Sequence, residues 1–99
     1  MKLLFEWDAK KAETNFKKHK VRFEEAKTVF NDPFLITYRD EEHSQSEERF
    51  ISIGMSATNR ILLVVHLEQE LTDDLIIVRI ISCRKAKASE RRIYEKLEK

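Results

Sequence analysis

A chain of 99 residues that is 41% hydrophobic and carries six Phe is expected to fold as one domain, residues 1–99, with a modest core. One Gly and one Pro exclude linker-like composition, and no apolar run approaches the ~20 residues that span a bilayer. The lone Cys83 excludes an internal disulfide, and acid as early as Glu6 and Asp8 argues against a signal peptide, so the cytoplasm is the expected compartment. The net charge of +1 hides a partition: residues 1–31 carry +3, residues 32–83 carry −6 and residues 84–99 carry +4. Two basic ends that meet in space would form a patch for phosphates; apart, they are solvated helix faces.

In chain order, Leu3 to Trp7 reads as a short strand. Asp8 is a good N-cap, and Ala9, Ala12 and Phe16 share one stripe, so a helix is expected from Ala9 to about His19. Phe23, Ala26, Val29 and Phe30 form the stripe of a second helix, which Asn31-Asp32-Pro33 ends. The period then changes to two. Strands are expected over Phe34–Arg39, Arg49–Ser56 and Arg60–Glu70, with an acidic loop from Asp40 to Glu48. Thr72-Asp73-Asp74 turns the chain into a strand over Leu75–Arg84, and a helix is expected from Ala86 to Lys99. The order is β-α-α-β-β-β-β-α. It predicts an α+β fold: an antiparallel sheet of four to five strands, two N-terminal helices on one face and a C-terminal helix.

The Leu75–Arg84 strand has the apolar, β-branched composition of a strand covered on both faces, except at Arg79. A guanidinium keeps its charge, so Arg79 must pair with a carboxylate such as Glu48, snorkel to water or line an open face. Arg49 alternates onto one face of its own strand and can join Arg79 if the register permits. Arg84, Lys85, Lys87, Arg91 and Arg92 cluster beyond the sheet, where Tyr94 adds a ring suited to stacking on a base. Lys17-Lys18-His19-Lys20-Val21-Arg22 is either a phosphate contact or a basic helix end favoured by the helix dipole. His19, His43 and His66 lack metal-ligand spacing, and no metal or cofactor is expected. His66 and Cys83 read as sheet residues, one hydrogen-bonded and one a small buried hydrophobe.

Phe5-Glu6-Trp7-Asp8, Asn15 with Lys18-His19, Phe23-Glu24-Glu25-Ala26, Val29-Phe30 with Asp32-Pro33, Glu48-Arg49, and Gly54-x-Ser56 recur in this order. With Arg79-Ile80-Ile81-Ser82-x-Arg84-x-Ala86 and Glu90-Arg91-Arg92-x-Tyr94-Glu95, they resemble the BrnT toxins over almost the whole chain. The resemblance implies a RelE-like ribonuclease, the toxin half of a bacterial type II toxin–antitoxin pair, neutralised in a hetero-oligomer by the DNA-binding antitoxin BrnA. It implies that Arg79 and Arg84 hold the scissile phosphate, with Arg49 and His19 beside them and Lys18, Lys85, Arg91, Arg92 and Tyr94 on the RNA. His19 or Glu48 would move protons. Ala9, Lys20 and Lys87 depart from the family's usual Pro, Gly and Thr. The rival reading is a non-enzymatic module whose basic ends bind nucleic acid or an acidic partner.

Overall fold

The computed structural model describes residues 2–43 and 48–98. Five strands form one sheet in the order β1-β5-β4-β3-β2, from β1 Lys2–Glu6, β2 Ile36–Arg39, β3 Arg49–Met55, β4 Ile61–Thr72 and β5 Leu75–Lys85. Strands β2 to β5 make the expected antiparallel meander. Strand β1 departs from it by pairing parallel to β5, so the sheet is mixed. The chain reaches that parallel position by crossing over through the two helices and the meander, as parallel neighbours require. Part of the acidic loop lies outside the described residues; Glu41–His43 form a 3₁₀ turn.

Helix α1, Ala9–His19, begins where the sequence places it: the Asp8 side chain accepts from the Lys11 N–H at 2.9 Å. It ends at Lys20, whose left-handed backbone (φ 60°) lets its N–H reach the Phe16 carbonyl. A glycine would adopt that conformation freely, and a lysine there costs about 1 kcal/mol. Helix α2, Phe23–Thr28, continues as a 3₁₀ turn over Val29–Asn31. Helix α3, Ala88–Glu98, starts two residues later than its periodicity suggested. Lys87 has no hydroxyl to cap it, and the Glu90 carboxylate instead reaches back to the Lys87 N–H at 2.7 Å, one half of a capping box.

The helix stripes decide the layers. Val21, Phe23, Ala26 and Val29 bury against Leu62, Val64, Val78, Ile80 and Cys83 on one face of the sheet. Gly54 lets the chain lie close there, since a Cβ on it would meet Leu35 at 2.8 Å and the Val29 carbonyl oxygen at 3.3 Å. Glu25 ties α2 to the β3–β4 turn through Arg60, Ser56 and Thr58, and the Arg60 guanidinium holds its carboxyl at about 2. On the opposite face, among the described residues, one end is covered, where Tyr94 of α3 packs on Ile53 and Leu63. Strand β5 therefore has α1 and α2 over one face, while α3 reaches its other face at the Arg84 end and the rest of that face is open among the described residues.

At the end of β1 a second device appears. Strand β1 pairs with β5 only as far as Arg79, which leaves the edge of β5 beyond it without a strand neighbour. Asn15, only 7% exposed, takes that place. Its Oδ1 accepts from the Cys83 N–H at 3.0 Å, and its Nδ2 donates to the Cys83 and Val21 carbonyls at 3.0 and 3.1 Å. A side-chain amide thus stands in for a strand and seats α1 beside β5.

Candidate nucleic-acid interface

The register of the sheet builds the open face in rows, because residues paired across strands share a face. One row runs Arg49–Leu67–Arg79–Glu6 across β3, β4, β5 and β1. The next runs Tyr38–Ile51–Val65–Ser82, and the third Ile36–Ile53–Leu63–Arg84. An irregularity at Val65/His66 sets the β5 register, so that Arg79, Ser82 and Arg84 lie on this one face. Arg49, Arg79 and Arg84 therefore surround a central strip floored by the half-buried Ile51 and Val65. Sequence alternation proposed that Arg49 joins Arg79, and the pairing through Leu67 brings them into one row.

Each β5 arginine has a carboxylate partner. Arg79, with 42% of its side chain exposed, meets Glu6 through a single contact of 2.8 Å. Its partner is thus Glu6 rather than Glu48, because the parallel β1 places Glu6 opposite it. The Glu48 charge is felt instead at Glu68, whose carboxyl is pushed up first by burial and then by Glu48. An exposed pair of this kind holds its arginine by no more than about 1 kcal/mol.

Arg84 is held more firmly. Its Nη1 and Nη2 grip the two Glu90 oxygens at 2.9 Å each, and Nη1 also donates to the Lys85 carbonyl at 3.2 Å. That bidentate grip holds the Glu90 carboxyl below its usual range. Glu90 takes the end of the guanidinium. Among the described residues, the remaining edge, Nε–H and the second Nη2–H, has no acceptor. Two parallel donors on a fixed plane match two oxygens of a phosphate. Glu90, which serves α3 and Arg84 together, stands in the sequence within the Glu90-Arg91-Arg92 motif, where nothing marks it as the partner of Arg84.

The basic ends flank the second half of β5 in two clefts with no lining residue in common. One cleft, about 530 Å³, opens between α1 and Ile81–Ser82, and Lys10, Lys11, Thr14, Lys18 and His19 line it. The other, about 380 Å³, holds Lys85 and Arg91 with Arg60 and Glu95. Arg92 is exposed on α3 and lines neither. His19 and Lys18 thus share a cleft with Ser82, a residue of the open face, while Lys85 and Arg91 share the other.

Tyr94 is a correction. It is 1% exposed, its ring lies in the core, and its hydroxyl donates to Asp32 Oδ2 at 2.5 Å, so it is not a platform for a base. The ring that does stand on the arginine face is Tyr38, 46% exposed on β2, which alternation within a short edge strand did not single out.

Two other reactive side chains are structural. His66 is fully buried, with Nε2 2.8 Å from Ser52 Oγ and its ring against Phe30 and Phe50. Burial lowers the imidazole to about 4, so it stays neutral although Glu68 lies 3.6 Å from Nδ1. A histidine held neutral in the folded state stabilises it above its unfolded value near 6.5, and that contribution is lost as pH falls towards about 4. Burial pushes the Cys83 thiol up to about 12, which makes it unreactive. Among the described residues no group of three or more His, Cys, Asp or Glu is placed to hold a metal ion. No helix among them is long and apolar enough to cross a membrane.

A small mixed sheet with α1 and α2 on one face, and with α3 and three arginines on the other, defines a protein of the α+β class. Residues 7–90 match the family model described as the ribonuclease toxin, BrnT, of type II toxin–antitoxin systems. The chain belongs to the BrnT family. The crystal structure of the Brucella abortus ribonuclease toxin BrnT has the same fold: TM-score 0.61 at 19% identity, over 88% of this chain and 99% of that one. Comparison with curated protein sequences gives no match.

Proposed function

We propose that this chain is a metal-independent endoribonuclease, a single-domain toxin acting in the cytoplasm, and that RNA lies on the open face of its sheet. The observation that carries the reading is the convergence of Arg49, Arg79 and Arg84 on one face, in a chain of a ribonuclease-toxin family. RNA brings its own nucleophile. The 2′-oxygen bonds to phosphorus, the 5′-oxygen leaves with a proton, and a 2′,3′-cyclic phosphate remains. The protein need only hold the reacting groups in line and stabilise charge on the phosphoryl oxygens. In this reading the free edge of Arg84 binds the scissile phosphate, and Arg79 and Arg49 bind it or its neighbour. His19, at the border of the α1 cleft, relays a proton, and Lys18, Lys85, Arg91 and Arg92 bind flanking phosphates.

The carboxylate partners of Arg79 and Arg84 favour a second reading, a module that binds without cleaving. The single contact at Arg79 and the open edge of Arg84 favour the enzyme. The partner is a BrnA-like antitoxin bound in a hetero-oligomer, and its loss releases growth inhibition. Ile93, 55% exposed beside Arg91 and Arg92 on α3, suits an antitoxin segment that is both apolar and acidic.

Incubating the purified chain with single-stranded RNA in excess EDTA tests the enzyme reading. Cleavage is expected to continue and to leave 2′,3′-cyclic or 3′-phosphate ends. Cleavage abolished by chelator and restored by magnesium would overturn it.

A further inference from the structure

Tyr38 occupies a position that neither its strand nor the core explains. It stands in the middle row of the open face, opposite Ile51, with Ser82 at the other end of that row. Rows bearing arginines run on both sides, Arg49 and Arg79 on one and Arg84 on the other. Nearly half its surface is exposed, so the ring contributes less to the core than Ile36 or Ile51 beside it. Burial of its inner part pushes the hydroxyl up, the Glu90 charge adds to that, and the Arg84 guanidinium opposes it. The hydroxyl therefore lies within electrostatic reach of the pair that presents the phosphate-binding edge.

A strip with an apolar floor, cations along both sides and a ring at one end has the chemistry of a single strand of RNA. Phosphates go to the cations, and a base goes to the ring. A peptide partner would have to supply acids on both sides of an apolar segment only a few residues wide. We propose that Tyr38 is the base-stacking, positioning residue of the site: one nucleobase of single-stranded RNA lies on its ring while the adjoining phosphate takes the free edge of Arg84. This rests on the ribonuclease reading and adds to it a ring that sets which nucleotide is presented for cleavage.

The test pairs Tyr38 variants with RNAs that each lack one base. Binding is measured by fluorescence anisotropy, using short RNAs made uncleavable by 2′-O-methyl groups, and cleavage is measured on the unmodified RNA. Tyr38→Ala is expected to weaken binding about tenfold, equivalent to about 1.4 kcal/mol, with an unchanged melting temperature. Tyr38→Phe and Tyr38→Trp, which keep a ring, are expected to bind within about twofold of the parent. One abasic position should weaken wild-type binding to a similar degree and leave Tyr38→Ala with no further loss. The proposal is overturned if Tyr38→Ala binds as wild type, if its loss is the same whichever base is missing, or if Tyr38→Phe loses as much as Tyr38→Ala. If wild-type protein neither binds nor cleaves RNA, the ribonuclease reading itself fails. RNA cleavage with a silent Tyr38→Ala removes only the stacking role.

Discussion

Replacing Arg84 with alanine is expected to slow RNA cleavage about a hundredfold, the usual loss when one donor to a developing phosphoryl or acyl oxyanion is removed. The expectation rests on how Glu90 holds the guanidinium. With its end clamped at 2.9 Å by both carboxylate oxygens, the side chain has little freedom left to lose when RNA binds. Arg84→Lys separates shape from charge, since an ammonium keeps the charge and lacks two parallel donors. It is expected to recover less than a tenth of the lost rate. Arg79→Ala should cost less, about tenfold or about 1.4 kcal/mol of barrier, because its Glu6 contact is single and exposed and its position less defined. Neither change removes a core contact, so single-turnover cleavage and circular-dichroism melting can be read on the same samples. Full activity in Arg84→Ala, with normal melting, contradicts the assignment.

The second large effect falls on stability. Asn15→Ala is expected to destabilise the chain by about 3 kcal/mol, because it strands the Cys83 N–H and two carbonyls in the interior. At ~4–8 °C per kcal/mol for a domain of this size, the melting temperature should fall by roughly 12 °C or more. Asn15→Asp is expected to fall too: it keeps the acceptor for Cys83 N–H, loses the donors and buries a charge. A fall of less than about 2 °C in Asn15→Ala would show that α1 does not depend on this amide to seat against β5.

Why the sequence disclosed some of this and not the rest follows from where each partner lies. Helix α1 was legible from end to end because its cap, Asp8, and its apolar stripe are local. The β2–β5 meander was legible because successive strands are joined by short turns or, between β2 and β3, by one polar loop, so each pairs with the next. The place of β1 was not, since five residues carry no mark of a parallel partner about seventy positions away. That one omission gave Arg79 the wrong carboxylate: Glu48 is nearer in sequence, and Glu6 is opposite in space. Arg79 itself was conspicuous, being a charge in an apolar strand. Tyr94 misled because a ring in a basic helix matches an RNA contact in composition, while its true partner, Asp32, is 62 positions away. Tyr38 escaped notice for the complementary reason. Its meaning comes from the row it completes, and a row exists only once four strands are in register.

In the proposed mechanism the work is divided: the RNA supplies the nucleophile and the arginine face supplies the rest. That division is tested most directly by mapping the cleavage site on a short single-stranded RNA and remaking that RNA with one 2′-O-methyl group on the nucleotide 5′ to the scissile bond. In the presence of EDTA, the unmodified RNA is predicted to be cut and the modified one to stay intact at that bond while still binding. Cleavage of the modified bond would mean that water, and not the 2′-oxygen, attacks the phosphorus, and would contradict the account.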